Sequence, residues 1–319
     1  MGEVLRPQIK IAGLKKYFKV NGGLLHAVDG IDLEIGEGRT LGVVGESGCG
    51  KSTLGRLVLR LLEPTAGQVL LNGENIFDYD KKQMRRVRQQ MQIIFQDPFS
   101  SLNPRLPVFD LIAEPLVMNR VCRNREELTE KIRGLMEMVG LAERYINAYP
   151  HEMDGGRRQR VGIARALALN PGFIVCDEPV SALDVSIQAQ ILNLLMDLQQ
   201  ELNLMYMFIT HDLSVVKHIS DEIAVMYLGQ CVEHCPSDEL FENPLHPYTK
   251  SLLSAIPAPK LTPVGEGAAL IRGEVSDPID PKPGCRFAPR CDLCTGDCEG
   301  ADIPLLERTP GHFAACVRQ

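Results

Sequence analysis

The sequence predicts an α/β fold, and three observations support that class. Residues 40–44 form a short apolar segment of the kind that makes a buried strand. A glycine-rich loop follows, and after it apolar residues recur at three- and four-residue steps, which indicates a helix. Two further apolar segments, 173–176 and 205–210, end at acidic or polar residues, as strands of open α/β sheets do where they deliver functional groups.

The loop at residues 45–53 fits the pattern G-x-x-x-x-G-K-[ST] between a strand and a helix. Its backbone N–H groups can converge on phosphates, Lys51 would neutralise the β- and γ-phosphates, and the Ser52 hydroxyl would bind Mg²⁺. An ordinary glycine-rich turn is disfavoured because both flanks fit. The nucleotide-binding residues predicted here are Gly45, Ser47, Gly48, Cys49, Gly50, Lys51, Ser52 and Thr53.

The apolar segment 173–176 leads into two carboxylates, Asp177 and Glu178. Beside a phosphate loop, Asp177 is expected to hold Mg²⁺ through water, and Glu178 to polarise the attacking water. A strand that merely leaves the sheet at an acidic turn is the alternative. The phosphate loop favours the catalytic interpretation.

Residues 151–160 precede a helical stretch at 161–169, and they resemble the signature of the ATP-binding-cassette ATPases, roughly Leu-Ser-Gly-Gly-Gln. In that family the signature of one chain contacts the ATP held by its partner. The resemblance therefore assigns Asp154, Gly155 and Gly156 to nucleotide binding.

The remaining landmarks of this family occur in the expected order. Gln96 resembles the Q-loop glutamine, residues 181–184 resemble the D-loop that ends here at Asp184, and His211 resembles the switch histidine. Phe18, or less favourably Tyr17, resembles the aromatic residue that stacks on adenine. The resemblance implies an ATPase with Glu178, His211 and Gln96 as catalytic residues, and with Ser52, Gln96 and Asp177 as Mg²⁺ ligands.

The resemblance also implies a domain organisation. Residues 1–256 would form a P-loop NTPase cassette core with an antiparallel β-layer, and residues 98–160 would be its α-helical subdomain. Residues 257–319 would be a Pro/Gly-rich arm and a small, irregular Cys-rich C-terminal extension. Residues 1–7 are expected to be a frayed arm. An amphipathic helix at 186–202 is assigned to core packing alone.

Composition narrows the class of function. The net charge is −7 and the pI about 5.6, which gives no support to nucleic-acid binding. The sequence contains no 18-residue apolar run and no secretory signal, so neither a membrane span nor export is predicted. A cassette ATPase without its own span is expected to power another protein.

Half of the ten cysteines lie in the segment 285–316. A cassette ATPase works in the reducing cytosol, where clustered thiols indicate a metal rather than disulfides. Thiolates suit zinc and iron–sulfur clusters alike, and the spacing alone does not separate them.

The segments around these cysteines are similar to the C-terminal extension of dipeptide and oligopeptide importer ATPases, in which four cysteines can hold a [4Fe–4S] cluster. The matching ligands are Cys285, Cys291, Cys298 and Cys316, with Cys294 as an extra thiol and alternative ligand. The expected cofactors are therefore ATP, Mg²⁺ and a [4Fe–4S] cluster. Zinc, or no metal in the tail, remains an alternative.

Residues 243–249 resemble the Asn-Pro-x-His-Pro-Tyr-Thr signature of the same importers, and residues 101–105 and 178–186 resemble their F-type ATPase. This resemblance implies a second, D-type ATPase subunit, two integral-membrane permease subunits and, indirectly, an extracellular substrate-binding protein. It places the chain peripherally on the cytoplasmic face of a bacterial or archaeal membrane. The cargo would be dipeptides or oligopeptides; alternatives are nickel or metal chelates, oligosaccharides, or a soluble cassette ATPase not tied to transport.

Two positions depart from the family. Asp154 stands where the signature serine donates a hydrogen bond to the γ-phosphate, and Arg157 replaces the following glutamine. An ionised carboxylate cannot donate that bond and would face an anionic phosphate. The hypothesis is an obligate heterodimer with two unequal ATP sites.

Overall fold

The computed structural model describes residues 8–256 and 277–318. The expected N-terminal arm at residues 1–7 and most of the expected Pro/Gly-rich arm, residues 257–276, lie outside the described residues. The chain forms two compact units. Among the described residues, unit 1 contains residues 36–39 and 78–207, and unit 2 contains residues 8–35, 40–77, 208–256 and 277–318.

The elements alternate along the chain as the α/β class predicts. The strands are β1 (Ile9–Val20), β2 (Gly23–Ile35), β3 (Thr40–Val44), β4 (Ala66–Leu71), β5 (Glu74–Asn75), β6 (Met91–Ile94), β7 (Phe173–Asp177), β8 (Met205–Ile209), β9 (Glu222–Tyr227), β10 (Gln230–Pro236), β11 (Leu306–Thr309) and β12 (His312–Ala314). The helices are α1 (Lys51–Val58), α2 (Lys81–Gln90), α3 (Pro98–Ser101), α4 (Val108–Met118), α5 (Arg125–Met138), α6 (Gly155–Leu167), α7 (Val185–Leu202), α8 (Leu213–Ile219), α9 (Ser237–Glu242) and α10 (Pro247–Ser254).

Unit 2 contains an antiparallel sheet with the strand order β2-β1-β4-β5. In β1 the buried residues Ile9, Ile11 and Leu14 face the core, while Lys10 between them is exposed. A second set of strands runs β11-β12-β10-β9-β3, in which β3 and β9 pair in parallel and the others pair antiparallel. The C-terminal tail therefore extends this sheet with its last two strands.

The core of unit 2 includes residues from the tail. A buried cluster joins Val44 and Val225 of the sheet to Val216 of α8, Tyr248 of α10 and Phe287 of the tail. Phe287 is only 2% exposed. The tail is thus packed into the unit by an aromatic side chain.

Unit 1 is mostly helical. Strands β6 and β7 pair in parallel, with Met91 opposite Phe173 and Ile94 opposite Cys176. Helix α6 packs against α3, α4, α5 and α7. The helix predicted at 186–202 is present as α7, and its buried face is formed by Ile191, Leu195 and Leu198.

The described part of the chain contains no helix that is long and apolar enough to cross a bilayer.

Candidate nucleotide site

Backbone conformation and lack of space both require glycine at two positions of the phosphate loop. Gly45 and Gly50 have φ angles of +153° and +106°, which side chains rarely tolerate. A Cβ at Gly45 would lie 2.1 Å from the Met226 carbonyl oxygen, and a Cβ at Gly50 would lie 2.0 Å from that of Ala27. The loop is therefore closely packed against the end of β9 and against β2.

Lys51 opens helix α1 directly after the loop. Its ammonium donates hydrogen bonds to the carbonyl oxygens of Gly45 at 2.7 Å and Glu46 at 2.9 Å, and the residue is buried. These bonds hold the cation against the loop at a helix N-terminus, an arrangement that favours a bound phosphate. Ser52 and Thr53 follow on the same turn and are half-buried.

Cys49 occupies the loop position before Gly50. Burial raises the pKa of its thiol, although the nearby Lys51 ammonium acts in the opposite direction. The thiol is neutral at physiological pH, so the side chain fills space rather than adding charge beside the phosphates.

The structure brings Gln96 and Glu178 together. Strands β6 and β7 are parallel neighbours, so the residues after their carboxyl ends emerge at the same edge. The Gln96 amide donates a hydrogen bond of 2.7 Å to Glu178 Oε2. Glu178 follows the buried Asp177 and has a φ of +48°, a conformation that costs a non-glycine residue about 1–3 kcal/mol and is typical of functional sites.

Residues 181–184 form a tight turn after Glu178. The Ser181 hydroxyl donates to the Glu178 carbonyl oxygen at 3.1 Å, and the Leu183 N–H donates to that of Val180 at 3.1 Å. Asp184 is the N-cap residue of α7. The turn therefore fixes the backbone on which Glu178 sits.

The two signature glycines lie where α6 meets this turn. A Cβ at Gly155 would lie 2.9 Å from a methyl of Leu183, and a Cβ at Gly156 would lie 2.6 Å from one of Ile187. A side chain at either position would have to displace these methyl groups, so glycine is favoured at both.

Asp154 caps the same helix. Its Oδ1 accepts the Arg157 backbone N–H at 2.8 Å, and its Oδ2 accepts Arg157 Nη1 at 2.6 Å. The Arg157 guanidinium also lies 4.8 Å from the centre of the Tyr145 ring. The Asp154 side chain is exposed and that of Arg157 is half-buried, so the carboxylate is at the surface where the signature serine would be.

The two aromatic candidates for adenine stacking differ in their surroundings. The Tyr17 ring stacks on His26 with 3.9 Å between centroids, and its hydroxyl donates to the Asp29 carboxylate. The Phe18 ring is half-buried, with Lys16 Nζ 5.0 Å from its centroid. Because Tyr17 is engaged on both its face and its hydroxyl, Phe18 remains the better candidate.

His211 follows β8 and Thr210 in unit 2 and is exposed. The next residue, Asp212, caps α8 by accepting the Ser214 N–H at 2.8 Å. This cap holds the backbone beside the predicted switch histidine.

Sequence reasoning missed a contact at the second residue of the phosphate loop. The Glu46 carboxylate accepts two hydrogen bonds from the Arg290 guanidinium, at 2.8 and 3.1 Å, and its backbone N–H donates to the Tyr248 hydroxyl at 2.9 Å. Both partners belong to the C-terminal part of the chain. The resemblance of residues 243–249 to a family signature and the cysteine cluster at 285–316 pointed to that region, but neither predicted a contact with the loop.

Four of the five tail cysteines line one small cavity. They are Cys285, Cys291, Cys298 and Cys316. Among the tail thiols that the structure describes, Cys294 alone is classed as exposed. Burial raises the pKa of Cys285 to about 11, and the adjacent Cys298 and Cys291 add to the effect.

Within residues 8–256 and 277–318, one group brings three metal-ligand atoms within 4.8 Å of one another, and it consists of Glu233, Cys235 and His312. No three of the tail thiols that the structure describes meet this distance limit. In that buried group His312 Nε2 lies 2.8 Å from Glu233 Oε1, while the Glu233 carboxylate accepts the N–H groups of Leu245 and His246 at 2.7 and 2.9 Å. These bonds tie the tail to the segment before α10.

Comparison with known proteins bears on the identity of this site. A family model described as "ABC transporter" matches residues 28–181, and one described as "Oligopeptide/dipeptide transporter, C-terminal region" matches residues 232–298. The oligopeptide transport ATP-binding protein AppF of Bacillus subtilis is 47% identical, with 97% of this chain and 96% of that protein covered. OppF of the same organism is 50% identical, and the dipeptide transport ATP-binding protein DppF of Haemophilus influenzae is 47% identical, each with the same coverage.

This chain belongs to the ABC transporter ATPases.

Solved structures agree with this assignment. An ATP-binding cassette dimer in a post-hydrolysis state, bound to ADP and Pi, matches with a TM-score of 0.65 and 30% identity over 72% of this chain and 98% of that one. The cassette cbiO1 of Clostridium perfringens matches with a TM-score of 0.66 and 28% identity over 74% and 90%. The predictions of a P-loop cassette fold and of ATP hydrolysis are confirmed.

As an ABC transporter ATPase, the chain works with membrane permeases. The C-terminal region matched by the second family model ends at residue 298, so it includes Cys285, Cys291 and Cys298, and Cys316 lies beyond it.

Proposed function

We propose that this chain is the ATP-hydrolysing subunit of a peptide importer. The observation that carries the proposal is a sequence identity of 47–50% to three oligopeptide or dipeptide transport ATP-binding proteins. The matches cover nearly the full length of this chain, and the C-terminal region is included. The cargo is a dipeptide or oligopeptide. Nickel or metal chelates and oligosaccharides are alternative cargoes, and a soluble cassette ATPase is the alternative without transport.

In this proposal, different residues bind the phosphates, the adenine and the Mg²⁺ ion. Lys51 and the loop N–H groups bind the phosphates, and Phe18 stacks on adenine. Ser52, Asp177 and Gln96 offer the hard oxygen ligands that Mg²⁺ prefers, and the metal would neutralise charge on the β- and γ-phosphates.

Glu178 is the general base that polarises the attacking water, and the Gln96 amide holds its carboxylate in position. His211 senses the γ-phosphate from the end of β8. A half-buried carboxylate on a fixed backbone turn is well suited to this role because its direction is set before the substrate arrives.

The partners in this proposal are a D-type ATPase, two permease subunits and an extracellular substrate-binding protein. The chain sits peripherally on the cytoplasmic face of the membrane. Its own phosphate loop and Glu178, combined with a normal signature from the partner, form a competent ATP site. The site that combines Asp154 with the partner's phosphate loop is impaired, because Asp154 brings a negative charge to the γ-phosphate.

The tail holds a [4Fe–4S] cluster through Cys285, Cys291, Cys298 and Cys316. These four thiols line one cavity, and that shared lining supports the fit. When bound, the cluster would act as a structural clip for a segment too small to fold alone.

Reconstitution tests the function. The chain, its D-type partner and the two permeases in proteoliposomes should hydrolyse ATP faster when a peptide-loaded binding protein is added. The same binding protein without peptide is the control. Stimulation by a nickel chelate or an oligosaccharide, but by no peptide, would replace the proposed cargo.

Metal analysis tests the cluster. Protein purified without oxygen should be brown, absorb broadly near about 400 nm, bleach in air and contain iron and sulfide in equal amounts. A colourless protein with one zinc per chain would establish the zinc alternative.

A further inference from the structure

The C-terminal tail reaches the phosphate loop through one side chain. Arg290 lies between two of the cysteines that line the tail cavity, Cys285 and Cys291. Its guanidinium forms a two-pronged contact with the Glu46 carboxylate at 2.8 and 3.1 Å and lies 3.2 Å from the Tyr227 hydroxyl. The Arg290 side chain is only 6% exposed, so this pair is poorly screened by water.

Glu46 is held from a second direction as well. Its backbone N–H donates to the hydroxyl of Tyr248, which is completely buried. The Tyr248 ring packs on Tyr227 and Phe287, with centroid distances of 4.7 and 5.4 Å. Glu46 is thus contacted directly by side chains from α10 and the tail, and Tyr227 of β9 supports both of them.

The negative charge of Glu46 gives these contacts a consequence for nucleotide binding. A carboxylate in a phosphate loop faces a ligand that carries several negative charges, and the repulsion opposes binding. The bidentate contact with Arg290 cancels that charge and directs the carboxylate toward the tail. Hydrogen bonding to Glu46, opposed in part by burial, raises the pKa of Arg290, so the guanidinium stays charged.

Contacts of Arg286 hold the tail segment that carries Arg290 in place. Arg286 donates to the Leu228 carbonyl oxygen and pairs with Asp29. The Asp29 carboxylate also accepts from Tyr17 and contacts Lys15, at 3.2 Å. Arg290 therefore approaches Glu46 from a fixed base.

We propose that Arg290 is a positioning residue of the ATP site, which neutralises Glu46 so that the phosphate loop accepts a triphosphate. The C-terminal tail thereby completes the nucleotide site of this chain. Arg290 acts through Glu46 and need not touch the nucleotide.

The test is a double-mutant cycle on the full chain. The variants are Arg290→Gln, Glu46→Gln and their combination, with Lys282→Gln as a matched control that removes one exposed tail charge. Equilibrium binding of MgATP is measured at low and high salt, and KM and kcat are measured in the assembled transporter.

Arg290→Gln should raise the dissociation constant for MgATP about tenfold at low salt, because it leaves an uncompensated charge beside the phosphates. KM should rise while kcat changes little. High salt should relieve part of the defect, since the Glu46 side chain is 26% exposed and screening weakens the repulsion there. Adding Glu46→Gln should restore binding to within about threefold of wild type, because the repelling charge is then gone.

Arg290→Lys keeps the charge and should bind MgATP within about threefold of wild type, which keeps the test decisive if Arg290→Gln fails to fold. Thermal unfolding of every variant shows which are folded. A purely structural role for Arg290 predicts no rescue by Glu46→Gln and no relief by salt. Either of those results, or unchanged binding in Arg290→Gln, would overturn the proposal.

Discussion

Glu178, the predicted general base, has an unusual backbone conformation. It has a left-handed φ of +48°, it follows a fully buried strand, and its carboxylate accepts a hydrogen bond from Gln96. Strain of this kind persists only where neighbouring contacts enforce it, here the Ser181 hydroxyl and the turn behind it. The hydrogen bond from Gln96 fixes the direction of the Glu178 carboxylate.

We predict that Glu178→Gln keeps ATP binding but slows hydrolysis about 10²- to 10⁴-fold, the usual contribution of a positioned general base. Lys51→Ala is the contrasting variant and should weaken binding itself, because it removes the cation held at the loop. Turnover in the assembled transporter and equilibrium binding of MgATP separate the two effects. Full turnover in Glu178→Gln would count against Glu178 as the base.

Sequence reasoning predicted site roles for Gln96, Lys51 and Glu178 because each belongs to a short pattern at a strand end. It did not predict which of them touch. Gln96 and Glu178 are 82 positions apart, and their contact depends on β6 and β7 being parallel neighbours. Glu46 and Arg290 are 244 positions apart, and no periodicity along the chain encodes that pairing.

Helix α6 shows how an element can tolerate the departure from the family signature. Asp154 caps the helix through the Arg157 N–H and forms an ion pair with the Arg157 side chain. Serine and aspartate are nearly equal as N-cap residues, so the substitution leaves the helix intact. In the proposed heterodimer, the change would therefore affect the surface that the helix start offers to a partner's nucleotide.

We predict that Asp154→Ser changes the free energy of unfolding by less than about 0.5 kcal/mol and preserves or raises ATP hydrolysis in the heterodimeric complex. Asp154→Ala is the matched control, which removes the charge without supplying a hydroxyl and should cost about 1 kcal/mol of stability. The isolated chain should hydrolyse ATP poorly, because both sites of a homodimer would carry Asp154. Vigorous hydrolysis by a purified homodimer, or a large loss of activity in Asp154→Ser, would refute the idea of unequal sites.

Helix α10 begins at a histidine that is buried in its neutral form. His246 is 1% exposed, and its Nδ1 accepts the Tyr248 N–H at 3.1 Å, so the ring acts as an N-cap. Burial, helped by the charge of Lys250, lowers the pKa of His246 to about 4. Because burial disfavours the charged imidazolium, the start of α10 is sensitive to acid.

We predict that His246 contributes stability that is complete above pH 6.5 and is lost as the pH falls toward 4. In that window the unfolded chain binds a proton that the folded chain excludes. The loss should reach about 3 kcal/mol, at about 1.4 kcal/mol for each pKa unit. His246→Asn keeps a capping group and should flatten the pH dependence of the unfolding free energy, measured with denaturant. His218→Asn, on an exposed face of α8, is the control and should leave it unchanged.

At the scale of the whole molecule, the tail is joined to unit 2 by several independent contacts. Phe287 enters the core cluster, His312 pairs with Glu233, and Arg286 and Arg290 reach β2 and the phosphate loop. The clustering of cysteines predicted a metal in this segment, and the structure places four of those thiols around one cavity. The residues between the cysteines were not predicted to contact the cassette, because their partners lie in distant parts of the sequence.

We predict that Cys285→Ser or Cys316→Ser loosens the tail, whereas Cys294→Ser does not. The first two thiols line the cavity and the third is exposed, so only the first two are expected to hold the cluster that clips the segment. Limited proteolysis should cut the tail of the first two variants at least about fivefold faster than wild type. Equal cleavage of all three variants would contradict the assignment of ligands.

The last two strands of the tail also determine which strand forms the exposed edge of the sheet in unit 2. Strand β12 pairs with β10, and β11 then forms the outermost row. An unpaired β10, with the apolar residues Val232 and Cys235, would be a template for adding a strand from another chain. Strand β11 is short and carries Glu307 and Arg308, which disfavour such addition. The tail thus protects the sheet against edge-to-edge aggregation, and a chain truncated before it would be prone to self-association.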